Sequence, residues 1–319
     1  MKRNFILLAI IFLSHASGMV AANPKLTYEQ QILQALQLTR PEMITQIQDK
    51  FSNAYSNAPV MQEMMKAYIQ EQMPTDIAKV YASSAQKYVS EKDLKKLIPL
   101  FNEPQYRKCI DSVAILRENA WDIVPQDNTY WEQRLWVDLN IVMSLNSDFF
   151  LHTQQFDSIA HSLMDTIESK NWWTEEWLTK FGEMQVANGF IEIGSKTLIS
   201  LMPNYPSFLA YISTIDEEKM SGLAIYYLTL LSLSEAPEWY LVASSKDLDY
   251  YLKVYQREEY QHWSQAQADF FERFLNMDAS FWCELATDMY DYMKVHFPNN
   301  KQELQQLASE AQAICDAAK

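Results

Sequence analysis

Apolar residues recur every three or four positions through most of the chain, the spacing that gives an α-helix one apolar face. The clearest case runs from Tyr88 to Cys109. There Leu94, Leu97, Leu100 and Phe101 form one stripe, and Tyr106, Cys109, Ile110, Val113 and Leu116 form the next. Ser90 stands three residues before Asp93, so its hydroxyl and that carboxylate are placed to satisfy N–H groups that lack partners in a first helical turn. Loss of such a cap costs about 1 kcal/mol. Val89 and Leu94 flank it as a staple. Asn102 and Glu103 end the first helix. Pro104 opens the second, where its fixed φ suits the first turn and its missing N–H costs nothing. Pro99, inside the first helix, removes one hydrogen bond and predicts a bend. The stretch reads as a helical hairpin.

The same punctuation recurs along the chain. Pro41, Pro59, Pro74, Pro206, Pro237 and Pro298 each precede a periodic apolar segment, and Thr27 with Gln30, Thr129 with Glu132 and Ser264 with Gln267 fit capping boxes. Only five glycines occur, and none lies between Asn23 and Phe181. Tight βα turns, phosphate loops and hairpin turns all rely on glycine, whereas helices do not. The expected fold is therefore all-α: stacked antiparallel helical hairpins in a bundle or short solenoid. Pro125, Asp127 and Asn128 interrupt the periodicity and set a boundary between helical domains at 23–125 and 126–319. The second domain is a candidate diverged repeat of the first. Ile215 to Tyr227 parallels Val89 to Phe101, with Asp216 as cap and Tyr226-Tyr227 at the aromatic pair, and a fainter echo begins at Trp263-Ser264. Helical spacing alone reproduces most of these matches, so the repeat stays open on sequence.

The hairpin resembles the signature F-[ST]-x-x-E-L-x-x-L-x-x-F-Y-x-S-P-x-G-x-K of a bacterial family, domain of unknown function 2059. Val89 and Ser90 stand at F-[ST], Asp93 and Leu94 at E-L, Leu97 at L, Leu100 and Phe101 at F-Y, Pro104 at P and Lys108 at K. Glu103 replaces the serine, Tyr106 the glycine, and Pro99 is an addition. The resemblance covers Thr27 to about Ala120. It implies a secreted or periplasmic all-helical domain and brings no activity, cofactor or catalytic residue.

Lys2 and Arg3 precede the apolar run Phe5 to Leu13, and Val20-Ala21-Ala22 offers small residues for cleavage after Ala22. Residues 1–22 are thus expected to be a secretory signal peptide, and the protein to be periplasmic or secreted. No cysteine follows the run, so no lipid anchor is expected. Neither this run nor the later apolar stretch Leu223 to Leu233 is long enough to cross a bilayer, so no membrane span is expected in the mature chain. Removing the signal leaves 24 basic against 41 acidic residues, a formal charge of −17. Nucleic acid is excluded as a partner because its phosphates need a basic face, and anionic membranes are disfavoured for the same reason.

Candidate chemistry is sparse. Gly189 to Thr197 resembles a phosphate loop with one residue too many before Lys196, which moves the lysine off the phosphates. Glu259-x-x-His262 puts a carboxylate and an imidazole on one helix face, but a di-iron bundle needs two such pairs and two further glutamates, and only one pair exists. No nucleophile elbow or Cys/His motif occurs. No catalytic, cofactor-binding or metal-ligating residue is therefore assigned.

Trp172, Trp173 and Trp177, with Met61, Met64 and Met65, form a candidate binding surface for sugars or peptides. Their helical spacing favours core packing instead. The leading expectation is a helical protein without catalysis that binds an envelope protein or peptide between its hairpins. The alternatives are an envelope-polymer hydrolase with an acidic pair in an aromatic cleft, and a carrier of an apolar ligand. Cys283 and Cys315 lie at similar distances from the turn at Phe297-Pro298, nearly level on antiparallel helices, and are the candidate disulfide. Two buried free thiols are the competing reading.

Overall fold

The computed structural model describes residues 26–39, 58–124, 128–144, 156–190, 192–194, 210, 213–275 and 279–317, and these are helical, with no strand among them. The expected signal peptide, Pro41, Pro206 and the lysine end of the phosphate-loop near miss lie outside the described residues. In chain order the helices are α1 (Tyr28–Thr39), α2 (Pro59–Glu71), α3 (Met73–Ala85), α4 (Glu91–Phe101), α5 (Pro104–Ile123), α6 (Asn128–Ser144) and α7 (Phe156–Lys170). They continue with α8 (Glu175–Ala187), α9 (Glu217–Leu233), α10 (Ala236–Val242), α11 (Ser245–Tyr255), α12 (Glu258–Leu275), α13 (Ala279–His296) and α14 (Lys301–Ala317).

Local chemistry explains most of the boundaries. At α1, Thr27 Oγ1 accepts from Gln30 N–H at 3.3 Å and Gln30 Oε1 accepts from Thr27 N–H at 2.9 Å. At α4, Ser90 Oγ accepts from Asp93 N–H at 3.1 Å, and the Asp93 carboxylate accepts from Ser90 N–H at 3.0 Å. Pro59 and Pro104 stand first in α2 and α5, and Pro74 and Pro237 stand second in α3 and α10. The Asp216 side chain caps α9 through Lys219 N–H. Pro99 falls in the last turn of α4, and the helix continues to Phe101. Non-helical backbone occurs instead at Asn119 in α5 (φ −133°, ψ 26°).

One expected cap is corrected. Ser264 lies in the interior of α12, where its hydroxyl donates to Asn188 O at 2.9 Å, so it starts no helix and the echo read from Trp263 does not stand. The apolar face carried by Tyr260, Trp263, Ala266 and Phe270 passes straight through that position.

Packing closes the stack on itself. α1 lies on α3 and α4, α8 on α11, α7 on α9, and α10 on α5. The early helices also meet the late ones, with α3 against α12 and α13 and α2 against α13. Lys79 Nζ pairs with Asp288 at 2.7 Å, Tyr292 OH donates to Glu71 at 2.7 Å, and Arg273 Nη1 donates to Ser84 Oγ at 2.8 Å, each bridging distant parts of the sequence. One core cluster contains Ile32, Leu94 and Phe101 together with Trp177, Tyr251 and Trp263, so it spans both sides of residue 125. α14 packs on α13, and Cys283 and Cys315 are bonded across that pair with Cα atoms 4.7 Å apart. Cys109 is a buried free thiol, and burial pushes it above its ordinary range.

Two capping carboxylates carry a pH dependence. Burial presses Asp93 and Asp247 towards the neutral form. Hydrogen bonds from Ser90 and His262 to Asp93, and from Lys108 and Ser244 to Asp247, outweigh it and hold both below the usual carboxylate range. Unfolded aspartate titrates near about pH 4, so this stabilisation is complete above that value and is lost as pH falls through the lower folded-state pKa values. Urea unfolding of Asp93→Asn and Asp247→Asn is expected to show both variants weaker than the parent at neutral pH, with the gap closing below about pH 4. A gap that persists unchanged into acid counts against the assignment.

Candidate functional site

The six residues of the expected binding surface are in the core. Trp172, Trp173, Trp177, Met61, Met64 and Met65 are each between 1% and 6% exposed, which corrects their reading as a surface. Met61, Met64 and Met65 lie on the inward face of α2 and Trp177 on that of α8, while Trp172 and Trp173 are buried just before α8 begins. Trp177 stacks on Phe181 with centroids 4.9 Å apart and donates from Nε1 to Ala243 O at 2.9 Å, while Trp172 meets Trp136 edge-on at 5.5 Å.

Glu259 and His262 point across the fold to α4. Glu259 pairs with Lys96 at 3.4 Å, and His262 Nδ1 lies 3.4 Å from the Asp93 carboxylate. Among the described residues no group of three or more His, Cys, Asp or Glu side chains is arranged to hold a metal ion.

A narrow cleft of about 30 Å³, room for about one water, lies among α1, α5, α8, α10, α11 and α12. Thr39, Tyr106, Arg117, Asn188, Glu235 and Gln267 are among its walls. Glu235 is held by Arg117 at 3.0 Å and by Gln185 Nε2 at 2.9 Å. Glu238, buried nearby on α10, accepts from Tyr130 OH at 2.9 Å and from Arg134 at 3.1 Å. Burial, with the Glu238 carboxylate beside it, pushes the Tyr130 hydroxyl up, so it stays a donor. These carboxylates are engaged by arginine, and only Glu235 lines the cleft.

A larger apolar groove of about 370 Å³ opens between α7, α8 and α9. Phe181 and Leu233 are buried at its base, while Met164 and Val186 stand exposed at its edges, Val186 at 57%. Leu178, Gly182 and Val186 follow one another at four-residue steps along α8, and the glycine leaves the middle of that ridge empty: a Cβ added at Gly182 meets nothing within 4 Å. From α9, Leu228 supplies an apolar wall and Thr229 and Ser232 supply hydroxyls. No carboxylate lines the groove among the described residues. Sequence reasoning passed over this site. The one signal available was a glycine between two apolar residues on a helix.

Comparison with protein-family models, with curated proteins and with solved structures gave no match.

Proposed function

We propose that the protein is a periplasmic or secreted helical binding protein without catalysis of its own, which holds an apolar segment of an envelope protein or peptide in the groove between α7, α8 and α9. The groove carries this reading. Its volume falls in the range of ligand sites and its walls are mainly apolar. It sits on a chain whose acidic charge otherwise favours solvent. The signal-like N-terminus and the resemblance of residues 27–120 to a secreted family support the location.

Filling the groove tests the function apart from the fold. Gly182→Leu places a side chain in empty space and replaces glycine inside a helix, a change worth up to about 1 kcal/mol in favour of the helix. A neutral, environment-sensitive apolar dye and an apolar peptide should both bind the parent saturably, and the variant should bind at least about tenfold more weakly, a loss of about 1.4 kcal/mol, with its melting temperature unchanged or raised. Equal binding by a folded variant rejects the groove. A retained small apolar molecule in native mass spectrometry of the purified protein would favour the carrier reading instead.

A further inference from the structure

The same set of contacts occurs twice. Ser244 and Asp247 form a capping box at α11 that repeats the one at α4: Ser244 Oγ accepts from Asp247 N–H at 3.3 Å, and the carboxylate accepts from Ser244 N–H at 3.0 Å. The offset is 244 minus 90, or 154 residues, and it holds through the hairpin. Asp-Leu follows in both copies. Phe101 and Tyr106 meet at 5.1 Å, and their equivalents Tyr255 and Tyr260 meet at 4.5 Å. The helix packed on each hairpin also matches. Tyr28 OH of α1 donates to Val89 O at 2.8 Å, and Trp177 Nε1 of α8 donates to the equivalent Ala243 O at 2.9 Å. Arg107 donates to Leu38 O near the end of α1, and Gln261, the residue at Arg107 plus 154, donates to Ala187 O at the end of α8 at 2.8 Å.

The contacts between the two sets are reciprocal. Lys108, 18 residues after Ser90, reaches the cap carboxylate of the other hairpin, Asp247, at 2.8 Å; His262, 18 residues after Ser244, stands 3.4 Å from Asp93. Lys96 and Tyr250, six residues after their serines, reach Glu259 and Glu103 near the start of the opposite second helix, at 3.4 and 2.9 Å. Equivalent residues also line the narrow cleft together: Thr39 and Asn188, Tyr106 and Tyr260, and Val113 and Gln267. Gln267 Oε1 is buried without a hydrogen-bond partner, and Val113, its equivalent in the other set, lines the same cleft. Helical periodicity reproduces apolar stripes but not polar contacts exchanged in both directions.

We propose that α1, α4 and α5 and α8, α11 and α12 are two copies of one unit, joined through a self-complementary face, so that the surface α4 and α5 present is shaped for a second copy of the unit, here supplied by the same chain. A two-fold interface has this property: residue i of one copy meets j of the other, and j meets i.

A graft in the full chain tests it. Residues 89–108 replace 243–262, with Tyr251 retained because its hydroxyl donates to Tyr106 O. The control graft places 215–234, a helix start of equal length and similar periodicity, in the same position. The first chain should keep a cooperative transition within roughly 10 °C of the parent, and the control should lose it. Any other pairing of outcomes overturns the proposal. A double-mutant cycle gives an independent reading. Asp93→Asn against His262→Gln should reveal about a two- to fivefold coupling in the unfolding constant, similar to that of Lys108→Gln with Asp247→Asn. Coupling absent from either pair contradicts the reciprocity.

Discussion

Trp263→Ala is expected to destabilise the fold by about 3–5 kcal/mol, among the largest losses available to a single substitution. Trp263 is completely buried. Its ring lies 5.4 Å from Tyr81 of α3 and 6.1 Å from Phe101 of α4, so one side chain from α12 fills the junction with two early helices far from it in sequence. Truncation removes the transfer energy of the indole and leaves a cavity that aromatic neighbours, themselves packed on other rings, cannot readily fill. Part of the loss is offset, because the Trp263 Nε1–H has no partner in the core and alanine removes that buried donor. Val295→Ala, at a site 72% exposed, should stay within about 0.5 kcal/mol of the parent. Urea unfolding of the two variants checks the contrast. A Trp263→Ala loss under about 1 kcal/mol would mean that this junction is not the packed centre of the fold.

The Cys283–Cys315 bond is the second large contribution. It closes a loop across a sequence separation of 32, for which chain entropy gives roughly 3–4 kcal/mol. α14 depends on it because that helix packs mainly on α13 and buries little beyond Leu307 and Ala311. Cys315→Ser should therefore release the last helix before the rest unfolds. Limited proteolysis should cut after residue 300 in the variant and not in the parent, and the parent denatured without reductant should titrate one thiol, that of Cys109. Three thiols in the denatured parent would contradict the bond.

The sequence carried the local logic of the fold further than its distant contacts. Ser90, Asp93, Pro104 and Asp216 marked helix starts because a cap or an N-terminal proline is satisfied within three or four residues. Ser264 failed because a serine three residues before a glutamine also occurs inside helices, and only the uninterrupted face of Tyr260, Trp263 and Phe270 reveals which case applies. The proposed duplication differs from the repeat that the sequence suggested, for a related reason. Apolar spacing aligned α9 with α4, whereas the equivalence to α11 rests on Lys108, Asp247, Asp93 and His262, whose partners are more than a hundred residues away. The helical spacing of the tryptophan and methionine stripes favoured core packing over a binding surface, and all six side chains are buried. The groove at Gly182 depends on how three helices splay, which no periodicity encodes.

The central claim is that the groove between α7, α8 and α9 receives an apolar segment, and amide hydrogen exchange measured with and without saturating apolar peptide tests it most directly. Binding there should slow exchange in α8 around Gly182–Val186 and in α9 around Leu228–Leu233, with α2, α4 and α14 unchanged. Protection that falls elsewhere, or nowhere at saturation, would contradict the account.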